Sequence, residues 1–500
     1  MSGSSSEQNN DETVIKKAQK STPFIICNIF LERYCTSGVL AIMPLFLYNK
    51  MQLDKNLSTS IFHLYEGMTL LFTVFGAILA DVWLGLYKSI IIMSCFYMFG
   101  LAIISIAMID FLNLPIDIFV VIGLIIMAIG CGCIKGNTNV FGGNQHKLPE
   151  EERQLQIFFS SQYFALKCGS LLARFTMPIL REDVKCLGKN DCYTLTFGVP
   201  ALTLFGALLV LLMGSRYYIH VPSNGNVFLK VLKCITYAIA ERRRQMNAGN
   251  KINKHWLKYA SDKYGQKLVL ETKIVLKVLV MYLPVPMFWA LHMQQSSRWI
   301  FQATKMNGDI GFYKIKPDQM IAVNSVLVIL LIPLFDRFVY PFMEKIGIKS
   351  MLHRMMVGFT CTIIAFIISA VLEVQVEKNY ISILWQIPQF FVIAMAEIFA
   401  YLAHLNFAYK EAPTSMKPVM IAFMYISIAT GDFIVAIISG ISIFKSQAYE
   451  YLFFASLMVI DVTILGLLTR KYKYTDHEMI KTLEDEDSKN IILNNKKAST

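Results

Sequence analysis

The chain has 500 residues, of which 55% are hydrophobic and only 16% charged, with a net charge of +12. Soluble domains are roughly a quarter charged, so this composition excludes an ordinary soluble enzyme or binding domain and points to one polytopic membrane domain. The positive excess reads as basic loops flanking membrane spans, not as a nucleic-acid surface.

The first twenty residues are polar, and no short apolar core with a cleavage site follows the start, so no removable signal peptide is expected. A helical span needs about 20 mostly apolar residues. On that basis twelve spans are predicted, near 24–48, 61–87, 89–111, 116–141, 156–180, 194–218, 270–297, 318–343, 352–373, 380–409, 416–442 and 448–470. Lys and Arg gather in the connection at about 219–270, at Lys345 and Lys349, and at Arg470, Lys471 and Lys473. All fall on one side of the bundle, which places both termini in the cytosol. The predicted organisation is a cytosolic tail (1–22), a six-helix half (23–218), a cytosolic basic linker (219–269), a second six-helix half (270–470) and a cytosolic tail (471–500). Two six-helix halves around a central pathway is the major facilitator arrangement, an all-α membrane fold. Within the linker, "YAIAERRRQ" reads either as an amphipathic helix on the inner membrane surface or as a solvated connection. The tail beginning "KTLEDED" is polar and is expected to be disordered.

Cys186 and Cys192 share a short outward loop, where a disulfide could join them. Asn56-Leu57-Ser58 matches the glycosylation pattern but lies close to a span end. Cys131 and Cys133 lie inside a helix without partner ligands, so no metal site is expected.

Ionisable groups inside a bilayer are expensive, and so are functional candidates. Glu32, Arg33, Lys135 and Glu397 lie deepest. His63, Glu66, Lys167, His292, Asn324, His404 and Asp432 also fall within spans, while Lys277 and Asp336 lie near boundaries and could simply reach water. Cations in the first half and an anion in the second suit a ligand carrying both charges, held between halves that close on it. A carboxylate or histidine kept from water can also carry a proton.

Six stretches carry a family resemblance, in order and at the right spans. They are "GAILADVWLGLYKSI" (76–90), "IKGNTNVFGGNQ" (134–145), "FFSSQYFALKCGSLL" (158–172), "FWALHMQQSSRWIFQA" (288–303), "PDQMIAVNSVLVILLIPLFDRFVYP" (317–341), and "QIPQFFVIAMAEIFAY" (386–401) with "YKEAPTSMK" (409–417). The chain resembles the proton-coupled oligopeptide transporters, and the animal members most. The resemblance implies a secondary active symporter of protons with di- or tripeptides, working by alternating access. It implies no enzymatic activity and no bound cofactor, the proton being the coupling ion, and a monomer in the plasma membrane with peptides as partners. By resemblance Arg33 and Lys135 receive the peptide carboxylate, and Glu397 and Asn324 hold the amino end. Tyr163 and Trp289 line the pocket, and His63 handles protons. Lys277 and Asp336 form an inner gate, with Asp81 at the same face.

The departures matter too. The first-span motif of the family, E-x-x-E-R-F-x-Y-Y-G, here has Ile29, Thr36 and Ser37 where the family has an acid and two tyrosines. Lys167 replaces an asparagine, and Met293 an acid. Glu32 is the surviving acid, read as the switchable partner of Arg33, and Glu66 stands in for the lost one. Lys167 makes the site more positive unless it is neutral or paired with Glu397, which opens the reading of an acidic or peptidomimetic substrate. A transporter-like receptor that binds without moving its ligand is the other alternative.

Overall fold

A computed structural model describes residues 3–146, 151–186, 191–220, 227–248, 255–472 and 474. The tail expected to be disordered, from Lys481 on, therefore lies outside the described residues. In the first half, α1 spans Gly3–Leu45, α2 Lys55–Leu79, α3 Leu86–Ala107, α4 Ile116–Gly143, α5 Glu152–Glu182 and α6 Tyr193–Met213. Helix α7, Val227–Asn247, belongs to the connection between halves. In the second half α8 spans Gln266–Val280, α9 Val285–Met293, α10 Ile321–Leu334, α11 Met351–Lys378, α12 Ile387–Glu411, α13 Lys417–Ile441 and α14 Gln447–Lys471. Among the described residues there is no β-strand, only the isolated bridges Asn307–Ser382 and Asp309–Lys314.

Ten of these helices are long and apolar enough to cross a membrane. Two predicted spans differ from that pattern. Helix α5 has the length, but Lys167, Arg174 and Arg181 make it polar, and it packs between α1 and α10 inside the bundle. The seventh span was expected as one helix over 270–297. Instead α8 and the segment Val285–Ala303 meet at a bend of 53° across residues 281–284. Pro284 and Pro286 explain the break. Each lacks the N–H that would continue the ladder, and Pro286 is accommodated in the first turn of α9, where that N–H would have no partner anyway.

Helix α1 starts at Gly3, within the stretch read as a tail. The end of the bundle bearing Lys20 and Lys471 is called the tail side, and the opposite end the far side. Asp54 caps α2 at the far side by accepting the Leu57 N–H at 2.9 Å. Helices α2 and α10 both end at the tail side in a π turn, Ala80–Leu84 and Phe335–Val339, with Asp81 and Asp336 at matching places.

Apolar side chains build a separate core in each half. Phe46, Phe62, Tyr97 and Phe197 anchor the first, and Phe288, Trp299, Phe359, Phe366 and Phe454 the second. Other large apolar groups, such as Phe99, Phe164 and Leu202, face outward, as a lipid-facing surface requires. Close helix crossings set the positions of the charged groups. A Cβ on Gly132 would strike the Thr69 carbonyl, so only glycine lets α4 lie this close to α2. A Cβ on Gly431 would come within 2.5 Å of the Pro286 carbonyl oxygen, so glycine lets α13 lie against α9.

The stretch "YAIAERRRQ" is helical, within α7. Its Ala238 and the preceding Val231 and Cys234 are buried, Cys234 and Ala238 packing with Leu257, Ala260 and Val269, while Arg242, Arg243 and Arg244 are exposed. Cys131 and Cys133 are buried and unbonded to each other. Cys186 and Cys192 are joined by a disulfide, with Cα atoms 5.3 Å apart. Asn56 lies in the first turn of α2, and its Oδ1 accepts a bond from Arg298 at 2.9 Å, so this amide is engaged inside the fold.

Candidate functional site

Between the halves, at mid-span, sits the carboxylate of Glu397 on α12. Asn324 Nδ2 donates to its Oε2 at 3.0 Å, and His292 Nε2 lies 3.7 Å from the same oxygen. Lys167 Nζ on α5 reaches Oε1 at 3.8 Å, so the ion pair joins one half to the other. These side chains remain 25% (Lys167) and 17% (Glu397) exposed, so the space between the halves reaches them. The Lys167 ammonium also lies over the Tyr163 ring, 5.5 Å from its centre. Trp289 is buried beside this group, its ring 5.4 Å from His292 and 5.7 Å from Tyr401.

Arg174 was not singled out from the sequence, although it stands seven residues after Lys167 and so on the same face of α5. Its Nη1 donates to Ser325 Oγ on α10 at 2.6 Å, next to Asn324. A cation two helical turns from a known candidate was the available signal.

The first-half charges pair differently from expectation. Glu32 and Arg33 do not form an ion pair. Glu32 is buried and accepts the Thr36 hydroxyl at 2.9 Å, one turn along α1. The reason is helical geometry: adjacent residues point about 100° apart, while i and i+4 meet. Thr36, read from the sequence as a loss, is thus the partner of Glu32. Lys135 on α4 instead faces Glu66 on α2, Nζ to Oε1 4.0 Å, both side chains about a tenth exposed. Arg33 keeps a buried Nε with no hydrogen-bond partner.

On the far side, His63 is fully buried in a three-residue group. Its Nδ1 lies 2.8 Å from Asp432 Oδ1 on α13, and its Nε2 lies 2.8 Å from Ser297 Oγ. The sequence identified Asp432 as an intramembrane acid but gave it no partner. The second oxygen of Asp432 has no hydrogen-bond partner.

Further far-side contacts link the halves. Arg181 Nε meets Asp318 Oδ2 at 2.9 Å, and Lys316 Nζ meets Asp183 Oδ2 at 2.8 Å. Ser60 Oγ donates to the Ala436 carbonyl at 2.8 Å, and the Tyr48 and Phe301 rings meet edge to face. The gate candidates at the tail side are not brought together. Lys277 sits over the Tyr472 ring at 5.1 Å, and Asp336 is exposed. Asp81 is half-buried in its π turn. Among the described residues, contacts therefore join the halves at the far side, and Lys277 and Asp336 do not pair at the tail side.

Comparison with known proteins agrees with this architecture. The POT family model matches residues 87–451, well over half of the chain. Peptide transporter family 1 of Drosophila melanogaster is 39% identical over 359 residues, covering 72% of this chain and 48% of that protein. Solute carrier family 15 member 1 of Homo sapiens is 39% identical over 369 residues, covering 71% of this chain and 52% of that protein. The chain thus spans about half the length of these curated relatives. In fold, it is similar to the crystal structure of the POT family transporter PepTSo, with a TM-score of 0.78 at 24% identity, covering 90% of this chain and 98% of that one. The chain belongs to the POT family.

Proposed function

We propose that this protein is a proton-coupled symporter of small peptides or peptide-like molecules, working by alternating access. One observation carries the reading: the Lys167–Glu397 pair bridges the halves at mid-span beneath a far side closed by buried contacts. A ligand with a carboxylate and an amine competes for both partners, so its binding is tied to the relation between the halves. Arg33 and Lys135 are the carboxylate-receiving cations, and Glu397 with Asn324 the amine-receiving group. Tyr163, Lys167 and Trp289 shape the space between them. The names of the relatives, peptide transporters, support this assignment.

Proton handling falls to Glu66, Glu32 and His63. Glu66 faces Lys135, so protonating it frees that cation for a substrate carboxylate. This makes Glu66, not Glu32 with Arg33, the first-half acid coupled to a ligand cation. The tail side carries the basic connection and so faces the cytosol, with both termini, in the plasma membrane. Lys277, Asp336 and Asp81 belong to the gate on that side, joined only when it closes. The protein acts as a monomer with the proton as its coupling ion.

Uptake into proteoliposomes tests the reading. Labelled Ala-Ala and Ala-Glu should accumulate faster with an inward proton gradient, and Glu397→Ala should abolish accumulation. Glu66→Gln should leave peptide binding but remove the response to the gradient. Uptake that survives Glu397→Ala would falsify the site assignment.

A further inference from the structure

Four cations surround the space between the halves: Arg33, Lys135, Lys167 and Arg174. Among the described residues, two have a carboxylate within ion-pair reach, Lys135 with Glu66 and Lys167 with Glu397. Arg33 and Arg174 have none. Arg174 has only the neutral hydroxyl of Ser325, and Arg33 Nε is buried without a hydrogen-bond partner. A guanidinium in a membrane interior is costly without a counter-ion, and among the described residues none supplies one to these two. The site is short of two anions.

Glu397 shows the complementary condition. Its oxygens already face Lys167, His292 and Asn324. An incoming ammonium must displace a resident lysine to reach it.

We propose that Arg174, with Lys167, forms a second anion-receiving subsite, so that this protein favours small ligands bearing two carboxylates, such as peptides with an acidic side chain. The proposal deepens the transporter reading and rests on it for the first carboxylate, at Arg33 and Lys135. Ser325 positions Arg174 from the opposite half, and the second carboxylate enters on its free edge. Lys167 is released from Glu397 when that carboxylate binds it. An amine on the ligand then becomes optional, because Glu397 keeps His292 and Asn324.

Purified full-length protein in nanodiscs is titrated with glutarate, a dicarboxylate without an amine, by calorimetry. Uptake of labelled Ala-Glu and Ala-Ala is measured in proteoliposomes alongside. Glutarate should bind the wild type, and Arg174→Gln should weaken it at least about tenfold, the size of one charge-assisted hydrogen bond. The Ala-Glu to Ala-Ala uptake ratio should fall by a similar factor, and Arg174→Lys should restore most of both. Wild-type protein that ignores glutarate, or glutarate binding equal in the wild type and Arg174→Gln, overturns the subsite whether or not peptides move. Loss of both peptides in equal measure in Arg174→Gln overturns it in favour of a structural latch. Glutarate binding that depends on Arg174, with neither peptide transported, keeps the subsite and overturns the peptide reading instead.

Discussion

The far side and the tail side of the bundle use charge in opposite ways. At the far side, Arg181–Asp318 and the His63–Asp432–Ser297 group are buried and tie one half to the other. At the tail side, the cation and acid expected to pair stand apart, Lys277 over Tyr472 and Asp336 in contact with solvent. The charged residue types are similar, and burial makes the difference. A buried pair that loses one member leaves the other uncompensated, whereas an exposed charge is screened by water. The same fold can therefore hold one side firmly and leave the other free to move.

This contrast can be broken in graded steps. The largest effect is expected from Asp318→Leu, which takes the buried carboxylate from Arg181 and leaves it only the more exposed Glu182, 3.0 Å from Nη2. It should destabilise the far-side closure by about 3–5 kcal/mol, read as a lowered Tm and as faster far-side labelling of a cysteine placed at Ser325. A normal labelling rate would show that this pair does not hold the closure. Next, Cys186→Ser opens the short loop that follows α5. Loss of a disulfide closing so short a loop should cost about 2 kcal/mol, seen as a matching shift when the wild type is reduced. Asp432→Asn is smaller. An amide oxygen still accepts from the His63 ring, so a cost of about 1 kcal/mol is expected, while Asp432→Leu should cost clearly more. Equal values for the two would remove the His63 contact from the closure. The smallest effect belongs to the tail side. Lys277→Ala removes an exposed cation whose contacts include a cation–π contact worth about 0.5–1 kcal/mol and should move the Tm least, and a drop as large as that of Asp318→Leu would erase the contrast between the two sides.

Much of the architecture was legible in the sequence, because hydropathy acts locally. Spans of roughly membrane length and a polar, positive connection follow from counting apolar and basic residues. The break in the seventh span was legible too, in Pro284 and Pro286, but an unbroken apolar run concealed it. Which residues are charged inside the membrane could also be read. How they pair could not, because pairing is set by how helices cross. Glu32 and Arg33 are neighbours in sequence and diverge in space, while Glu66 and Lys135 lie on different helices and meet because Gly132 lets α4 approach α2. Asp432 shows the same limit. It meets His63 only because α13 packs along α2 of the other half. Arg174 was hidden for a simpler reason, standing outside every motif that drew notice to α5.

The bend between α8 and α9 has a mechanical consequence. A continuous helix resists folding over, because each added degree of bend stretches hydrogen bonds along one edge. Here the ladder is already interrupted across residues 281–284, and prolines keep it from re-forming. The segment Val285–Ala303 is anchored to the far side through Ser297 and Arg298, while α8, carrying Lys277, lies beyond the joint on the tail side. At the joint, turn bonds such as Tyr282 N–H to Leu279 and Val285 N–H to Tyr282 replace the helical ladder, so bending there strains fewer hydrogen bonds than in an unbroken helix.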